Sequence, residues 1–372
     1  MGKYLKREIT SIFLMLGNQC NMNCTYCLQH PLVNEPILTE IDPEIYDFLC
    51  ETAYENEGHR INIKFYGGEP LLYFKNIKTV VGTLNKRNSV EFVYSIITNG
   101  KAMTDEMVKF FNENNISVTL SWDGNSVIET RGYDIFVDPV HLGRLLKINN
   151  LNLSGVISAR AYPKELLESF QRISNKYYSI HGYHIGVNLD EIFDTGIANK
   201  HLLKIDYERV TKEIKEILRT VDSYLSCKKS NSGNDCIKLF YVSSLIDRLN
   251  DFCIKTENNW NYRTVFCSNG LSKLNLDLQG NLYSCHNTSE KIGTIKDKFY
   301  KYLNKVLATD NTSIYIENCK GCRAFALCRG GCKFVNPKAR KAGYCELKQA
   351  VFLPVIDYVE AIGNRCKEDT IC

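Results

Sequence analysis

Cys20, Cys24 and Cys27 stand in the run CNMNCTYC, directly after the strand-like segment ITSIFLML at residues 9–16. Closely spaced thiolates are ligands for zinc or for iron–sulfur clusters. A [4Fe–4S] cluster normally takes four cysteines, so three of them leave one iron free to bind something else. The aromatic Tyr26 precedes the last thiolate. The other chemistry open to this trio is a zinc knuckle, or a four-cysteine zinc site completed by a distant ligand.

Further polar motifs follow later strand-like segments. Gly67-Gly68-Glu69-Pro70 follows INIKFY (61–66), where glycines let backbone approach a ligand closely and a carboxylate can accept from an ammonium group. Thr98-Asn99-Gly100 follows EFVYSII (91–97), and its short polar side chains suit ribose or carboxylate contacts. Ser121-Trp122-Asp123-Gly124 closes ISVTLS (116–121). Arg131 follows eight residues after Asp123 and has the two-pronged geometry that binds carboxylates. Asn188 ends YHIGVN (183–188).

A second cysteine group lies near the C-terminal end. Cys267 and Gly280-x4-Cys285 precede Cys319-x2-Cys322-x5-Cys328-x3-Cys332, and Cys345 follows after twelve residues. In a large chain without a secretory signal, clustered cysteines point to metal rather than disulfides; a pair of zinc sites is the alternative. Cys50, Cys227, Cys236, Cys253, Cys366 and Cys372 stand apart, and Cys50 reads as a small buried apolar residue.

Positioning these motifs falls to alternating elements. The strand candidates, which also include NLSGVISA (152–159), alternate with helix-length stretches such as 43–55 and 104–115, the latter opening on Thr104 as an N-cap. Six such units predict a parallel sheet, open or closed into a partial barrel, with its chemistry at the carboxyl ends of the strands. Residues 200–255 read as charged amphipathic helices interrupted by a polar loop at 227–235. LSKLNLDLQGNLYSC reads as a β-hairpin turning at Gln279-Gly280-Asn281, and a last apolar helix covers roughly 347–362.

This order of motifs resembles the radical S-adenosylmethionine (radical SAM) family, and the C-terminal cysteines resemble its SPASM domain. The resemblance implies an α/β fold: a (β/α)6 partial TIM barrel, a helical bridge, and a small cysteine-rich SPASM domain with a β-hairpin. The expected divisions are 1–199, 200–260, 261–346, and a terminal helix and tail at 347–372. It implies three [4Fe–4S] clusters. Cys20, Cys24 and Cys27 would hold the first, whose open iron binds SAM. Gly67, Gly68, Glu69 and Pro70 would hold the SAM amino group. Thr98, Asn99, Ser121, Asp123, Arg131, Asn188 and Tyr26 would supply further cofactor contacts, Tyr26 near the adenine. Cys319, Cys322, Cys328 and Cys345 would ligate the outer auxiliary cluster. Cys267, Cys285 and Cys332 would ligate the inner one. Its fourth ligand is Cys253, or its open iron binds substrate. Cys366 and Cys372 have no role in this scheme.

The implied activity is reductive cleavage of SAM to a 5′-deoxyadenosyl radical that abstracts hydrogen from an unactivated carbon. The expected enzyme is a maturase of a ribosomally made peptide, forming a thioether or carbon–carbon crosslink or another two-electron oxidation. The alternative is an anaerobic sulfatase-maturating enzyme that forms formylglycine. That group usually has Asp where this chain has His286, and QGGEP where this chain has YGGEP. His286, with an unperturbed pKa near neutrality, is the acid–base candidate. A zinc-stapled binding protein is the reading of another class. The expected partners are a precursor peptide, a flavodoxin or ferredoxin electron donor and, since little chain precedes residue 9, a separate leader-binding protein. The composition of the 372 residues is ordinary, with 44% hydrophobic, 24% charged and a net charge of +4. It suggests no nucleic-acid or membrane partner, and a cytoplasmic location.

Overall fold

The computed structural model describes residues 9–29, 40–56, 58–87, 89–194, 200–226, 235–258, 272–288, 290–309, 319–332, 335 and 337–369. In chain order the main elements are β1 (Ser11–Met15), α1 (Glu44–Glu55), β2 (Arg60–Tyr66), α2 (Phe74–Leu84), β3 (Glu91–Thr98), α3 (Asp105–Glu113) and β4 (Ser117–Ser121). They continue with α4 (Pro139–Leu145), β5 (Leu151–Ile157), α5 (Pro163–His181), β6 (Gly186–Glu191), α6 (Tyr207–Ser226) and α7 (Cys236–Asn258). The remainder are β7 (Lys273–Asp277), β8 (Asn281–Tyr283), β9 (Lys291–Thr294), α8 (Phe299–Thr309) and α9 (Cys345–Asp369). All six strands expected in the first half are present. The chain divides into two compact units: residues 1–122, 131–152 and 267–310, and residues 123–130, 153–266 and 311–372.

In the first unit the β-branched and aromatic runs pair in parallel, in the order β4-β3-β2-β1-β7, as expected of a partial-barrel sheet. Strand alternation sorts the two faces. Ile12, Leu14, Ile61, Ile63, Phe65, Ile96, Leu274 and Leu276 have no exposure. α1 packs over β2. The opposite face is polar: Ser11, Asn62, Lys64, Ser95, Lys273 and Asn275 alternate with the apolar set. Ser95 donates to Asn62 across that face at 3.0 Å. Thr104 caps α3, accepting from the Met107 N–H at 3.2 Å.

The hairpin turns where the sequence places it. Gly280 takes φ 75°, and Leu276 faces Leu282 across the antiparallel pair. Its first strand does more than expected. β7 runs parallel to β1 along its whole length, Ser11 opposite Lys273 through Met15 opposite Asp277. A segment expected inside a separate cysteine-rich domain therefore completes the sheet on the open side of β1. The apolar run LNL, flanked by Lys273 and Asp277, matches the polarity of its neighbour residue for residue.

In the second unit β5 and β6 are neighbours. The helices read as a bridge are core elements here: Val210, Ile214, Ile217 and Val221 of α6, and Tyr241 and Leu245 of α7, are buried. α9 packs on α6 with Val351, Phe352 and Val355 buried, and runs past its expected end to Asp369 with Pro354 inside it. Among the described residues no helix is long and apolar enough to cross a membrane.

Truncating Leu14 in the central strand to Ala is expected to lower stability by about 2–5 kcal/mol. Thr104→Ala should cost about 1 kcal/mol. Urea denaturation followed by circular dichroism measures both, and equal effects would contradict the burial assignment.

Candidate active site

The cysteine trio occupies the loop that leaves β1, and backbone contacts fix that loop. The Gly68 N–H donates to the Gly17 carbonyl at 2.9 Å, and the Glu69 N–H to the Gln19 carbonyl at 2.7 Å. A Cβ on Gly67 would lie 2.2 Å from Gly17 O, and one on Gly68 2.3 Å from Gln19 O. The sequence reading assigned these glycines to a ligand's approach. In the structure they let two stretches of backbone touch. The Tyr73 hydroxyl, from the turn after Pro70, accepts from the Gln19 N–H at 3.0 Å. The Cys27 N–H closes the loop on the Cys24 carbonyl at 3.2 Å.

Glu69 is buried and its carboxylate is nearly saturated. Oε1 accepts from the Thr98 hydroxyl at 2.6 Å and the Leu71 N–H at 2.9 Å, and Oε2 from the Asn99 N–H at 2.8 Å. Burial pushes its pKa up to about 7 despite these donors. A carboxylate offers about four acceptor positions, so one remains, in surroundings where a cation is favoured. Thr98 and Asn99 thus hold Glu69. Asn99 also turns to the cysteine loop, donating from Nδ2 to Asn21 Oδ1 at 2.9 Å and toward Cys20 Sγ at 3.7 Å. Lys101 donates to the Asn21 carbonyl at 3.3 Å. Burial raises the Cys20 thiol above its ordinary range, with Glu69 and Cys27 adding to the effect. A half-buried thiolate trio beside a buried carboxyl fits a cluster with cationic irons and a ligand ammonium, the groups the resemblance implies.

Arg131 and Tyr26 come together, the guanidinium lying over the ring at 5.3 Å from its centroid. Ser121 is the half-buried last residue of β4. Asp123 departs from its expected role. It is buried, and accepts from the Val156 N–H at 3.0 Å and the Thr130 hydroxyl at 2.8 Å, so it braces β5 and the turn after residue 123. Asn188 lies in the second unit and donates to Ser154 Oγ at 3.4 Å.

His286 follows the buried Cys285. Its ring stacks on Phe13 at 4.3 Å and meets the edge of Tyr66 at 4.6 Å. Burial first, then the charges of Lys273 and Lys64, push its pKa down to about 3. The ring stays neutral near pH 7 and too weakly basic for the acid–base role that sequence suggested.

The second unit assembles four of the other thiols. Cys319, Cys322, Cys328 and Cys345 line one cavity of about 400 Å3, together with Arg340 and Lys348. Burial pushes Cys328 up to about 11. Lys348 stands three residues after Cys345 on α9 and pairs with Glu191 at the end of β6, both nearly inaccessible. Burial works against its charge, but Glu191, Tyr344 and Cys328 hold the ammonium above its ordinary range. Sequence reasoning missed Lys348, whose spacing from Cys345 was the available signal, and Glu191, which has none. Cys332 is not in that lining; its N–H donates to the Tyr344 hydroxyl at 2.8 Å. Cys285 belongs to the first unit and Cys332 to the second. Cys267 lies outside the described residues, as do the side chains of Cys253 and Cys366, and Cys227 and Cys372 entirely. Among the described residues no three Cys, His, Asp or Glu side chains are grouped closely enough to hold a single metal ion.

Residues 14–131 match the family model described as the radical SAM superfamily. The chain is 21% identical to the radical SAM cyclopropyl synthase TigE of Paramaledivibacter caminithermalis, over 94% of this chain and 74% of that one. It is 24% identical to a cysteine-type anaerobic sulfatase-maturating enzyme of Clostridium perfringens, over 84% of this chain and 86% of that one. The solved structure of native anSMEcpe with bound AdoMet and the Cp18Cys peptide superposes with a TM-score of 0.67 at 20% identity, over 96% of this chain and 99% of that one. That likeness establishes the fold. Gly68→Ala is expected to drive the cysteine loop off the end of β2, so that the reconstituted variant loses the iron of one cluster; iron assay with electron paramagnetic resonance reads this, and full iron content would contradict it. The trio after the first strand, the buried Glu69 at the second and the matched segment identify residues 14–131 as a radical SAM domain.

Proposed function

We propose that this enzyme is a radical SAM/SPASM maturase that abstracts hydrogen from a residue of a ribosomally synthesised peptide, forming a thioether or carbon–carbon crosslink or another two-electron oxidation. The observation that carries this reading is the convergence of Cys319, Cys322, Cys328 and Cys345 on one cavity. Four thiolates are the full complement for a [4Fe–4S] cluster, so this is a coordinatively closed site, suited to carrying electrons. The trio on the first unit has one thiolate fewer, which suits it to bind a ligand. SAM bound there supplies hydrogen-atom abstraction through a 5′-deoxyadenosyl radical. Glu69, with its remaining acceptor position, holds the ammonium of that ligand, and Thr98 and Asn99 keep the carboxylate in place. Arg131, seated over the Tyr26 ring, is proposed to bind the carboxylate of that ligand. A second auxiliary cluster, with the ligands the resemblance implies, is part of the same proposal. A flavodoxin- or ferredoxin-type donor completes the scheme by supplying the electron.

Formylglycine formation on a sulfatase is the second reading, favoured by the likeness to the Clostridium perfringens enzyme over most of both chains. Against it stands His286 in place of an acidic residue, packed as a neutral ring between Phe13 and Tyr66.

Anaerobic reconstitution is expected to give about twelve irons per chain, four for each cluster. Tightly bound zinc without iron would overturn the reading. Incubation with reductant, SAM and a short Cys-, aromatic- or Lys-rich peptide found encoded beside the gene should form 5′-deoxyadenosine and remove two hydrogens from the peptide by mass spectrometry. Conversion of a sulfatase peptide to formylglycine instead would select the second reading. Glu69→Gln should weaken SAM binding roughly tenfold to a hundredfold, the worth of a charged hydrogen bond, with iron content retained.

A further inference from the structure

Within the first unit, the polar face of the sheet carries two cations close together. Lys64 on β2 and Lys273 on β7 flank β1 from opposite sides, and both ammonium groups lie over the Phe13 ring, 5.2 Å and 5.8 Å from its centroid. Neither has an ion-pair partner among the described residues. The acid nearest along the strand, Asp277, is committed to the Gln279 and Asn281 N–H groups, the Asn281 amide and the Tyr283 hydroxyl. Burial, then the charge of Lys273, lowers the affinity of Lys64 for its proton. Two like charges held close together and half-buried, with no counter-ion among the described residues, oppose folding, and an anion between them relieves the cost.

Two unsatisfied polar atoms lie beside the Phe13 ring. Asn275, opposite Phe13 in register, has no exposure, and its Oδ1 has no hydrogen-bond partner among the described residues; the same is true of Nδ1 of His286, which stacks on the Phe13 ring. A bare inorganic anion would leave the orphaned Asn275 acceptor unmet. An acidic or C-terminal peptide residue offers a carboxylate for the lysines and an N–H donor for that amide. Lys64 stands three residues before Gly67, on the strand that leads to the residues proposed above to hold SAM.

We propose that Lys64 and Lys273 form a carboxylate-binding subsite for the substrate peptide, which makes an acidic side chain or a terminal carboxylate part of what the enzyme recognises. This rests on the peptide-modifying reading above. The test uses the reconstituted, SAM-saturated enzyme and three probes followed by saturation-transfer NMR: N-acetyl-aspartate α-amide, N-acetyl-alanine and N-acetyl-alaninamide. The two carboxylates are expected to bind and the neutral amide not to. The tighter of the two names the source, side chain or terminus. Lys64→Met and Lys273→Met should each weaken carboxylate binding about tenfold, the loss of one charged hydrogen bond. Each should also raise the melting temperature of the ligand-free protein, whereas a merely structural lysine would lower it on removal. Equal binding of all three probes, no binding of any, or unchanged affinities in the variants overturns the proposal. Loss of SAM affinity with carboxylate binding intact assigns the cations to the cofactor and also overturns it. Failure of the unmodified enzyme to form 5′-deoxyadenosine sinks the enzymatic reading alone, because the probe titrations remain readable.

Discussion

Two main-chain hydrogen bonds, Gly68 to Gly17 and Glu69 to Gln19, set the rest of the site. They require the ends of β1 and β2 to lie against each other with no side chain between, and Gly67 and Gly68 meet that requirement because any Cβ would overlap carbonyl oxygens. The cysteine loop has few apolar residues with which to anchor itself. Its position is inherited from the parallel register of the strands beneath it, with Met15 level with Tyr66. β3 ends beside β2 and delivers Thr98 and Asn99 to the carboxylate and the loop together. The geometry of the thiols is thus a property of the sheet rather than of the CNMNCTYC run.

Charge is distributed by the same logic. The carboxyl of Glu69 and the thiol of Cys20 are buried where ionisation is costly, and both are surrounded by donors that soften the cost without removing it. Lys348 illustrates the opposite solution: its ammonium is as deeply buried but is matched by Glu191, so the charge is retained. The half-buried Lys64 and Lys273 of the first unit have no such ion-pair partner among the described residues.

The sheet was legible because β-branched runs such as INIKFY and ISVTLS have no competing helical pattern, and Thr104 declared its helix through a short local rule. The thiol clusters were legible because their spacing is local. Contacts that span the chain were not. β7 reads as half of a hairpin, since nothing in KLNLD names β1 as a partner 262 residues away. Thr98 and Asn99 could be recognised as important, but not as the supports of Glu69. Asp123 was misread for a related reason: a buried bracing carboxylate and a ligand-facing one look alike in sequence, and only the donors at Val156 and Thr130 separate them. The lowered pKa of His286 comes from burial and from Lys273 and Lys64, which only the sheet pairing brings to it.

The pairing of β7 with β1 bears on how the chain is made. During synthesis β1 emerges first and β7 only after most of the protein has left the ribosome. Until then β1 presents an unpaired edge, a hydrophobic template open to foreign strands. The pairing also gives the fold a high contact order, which slows the step that closes it. A fragment ending before residue 273 would keep that edge permanently. The reactive loop on β1 therefore gains its final support late, which delays a rigid thiol trio until the hairpin bearing Cys285 has been synthesised.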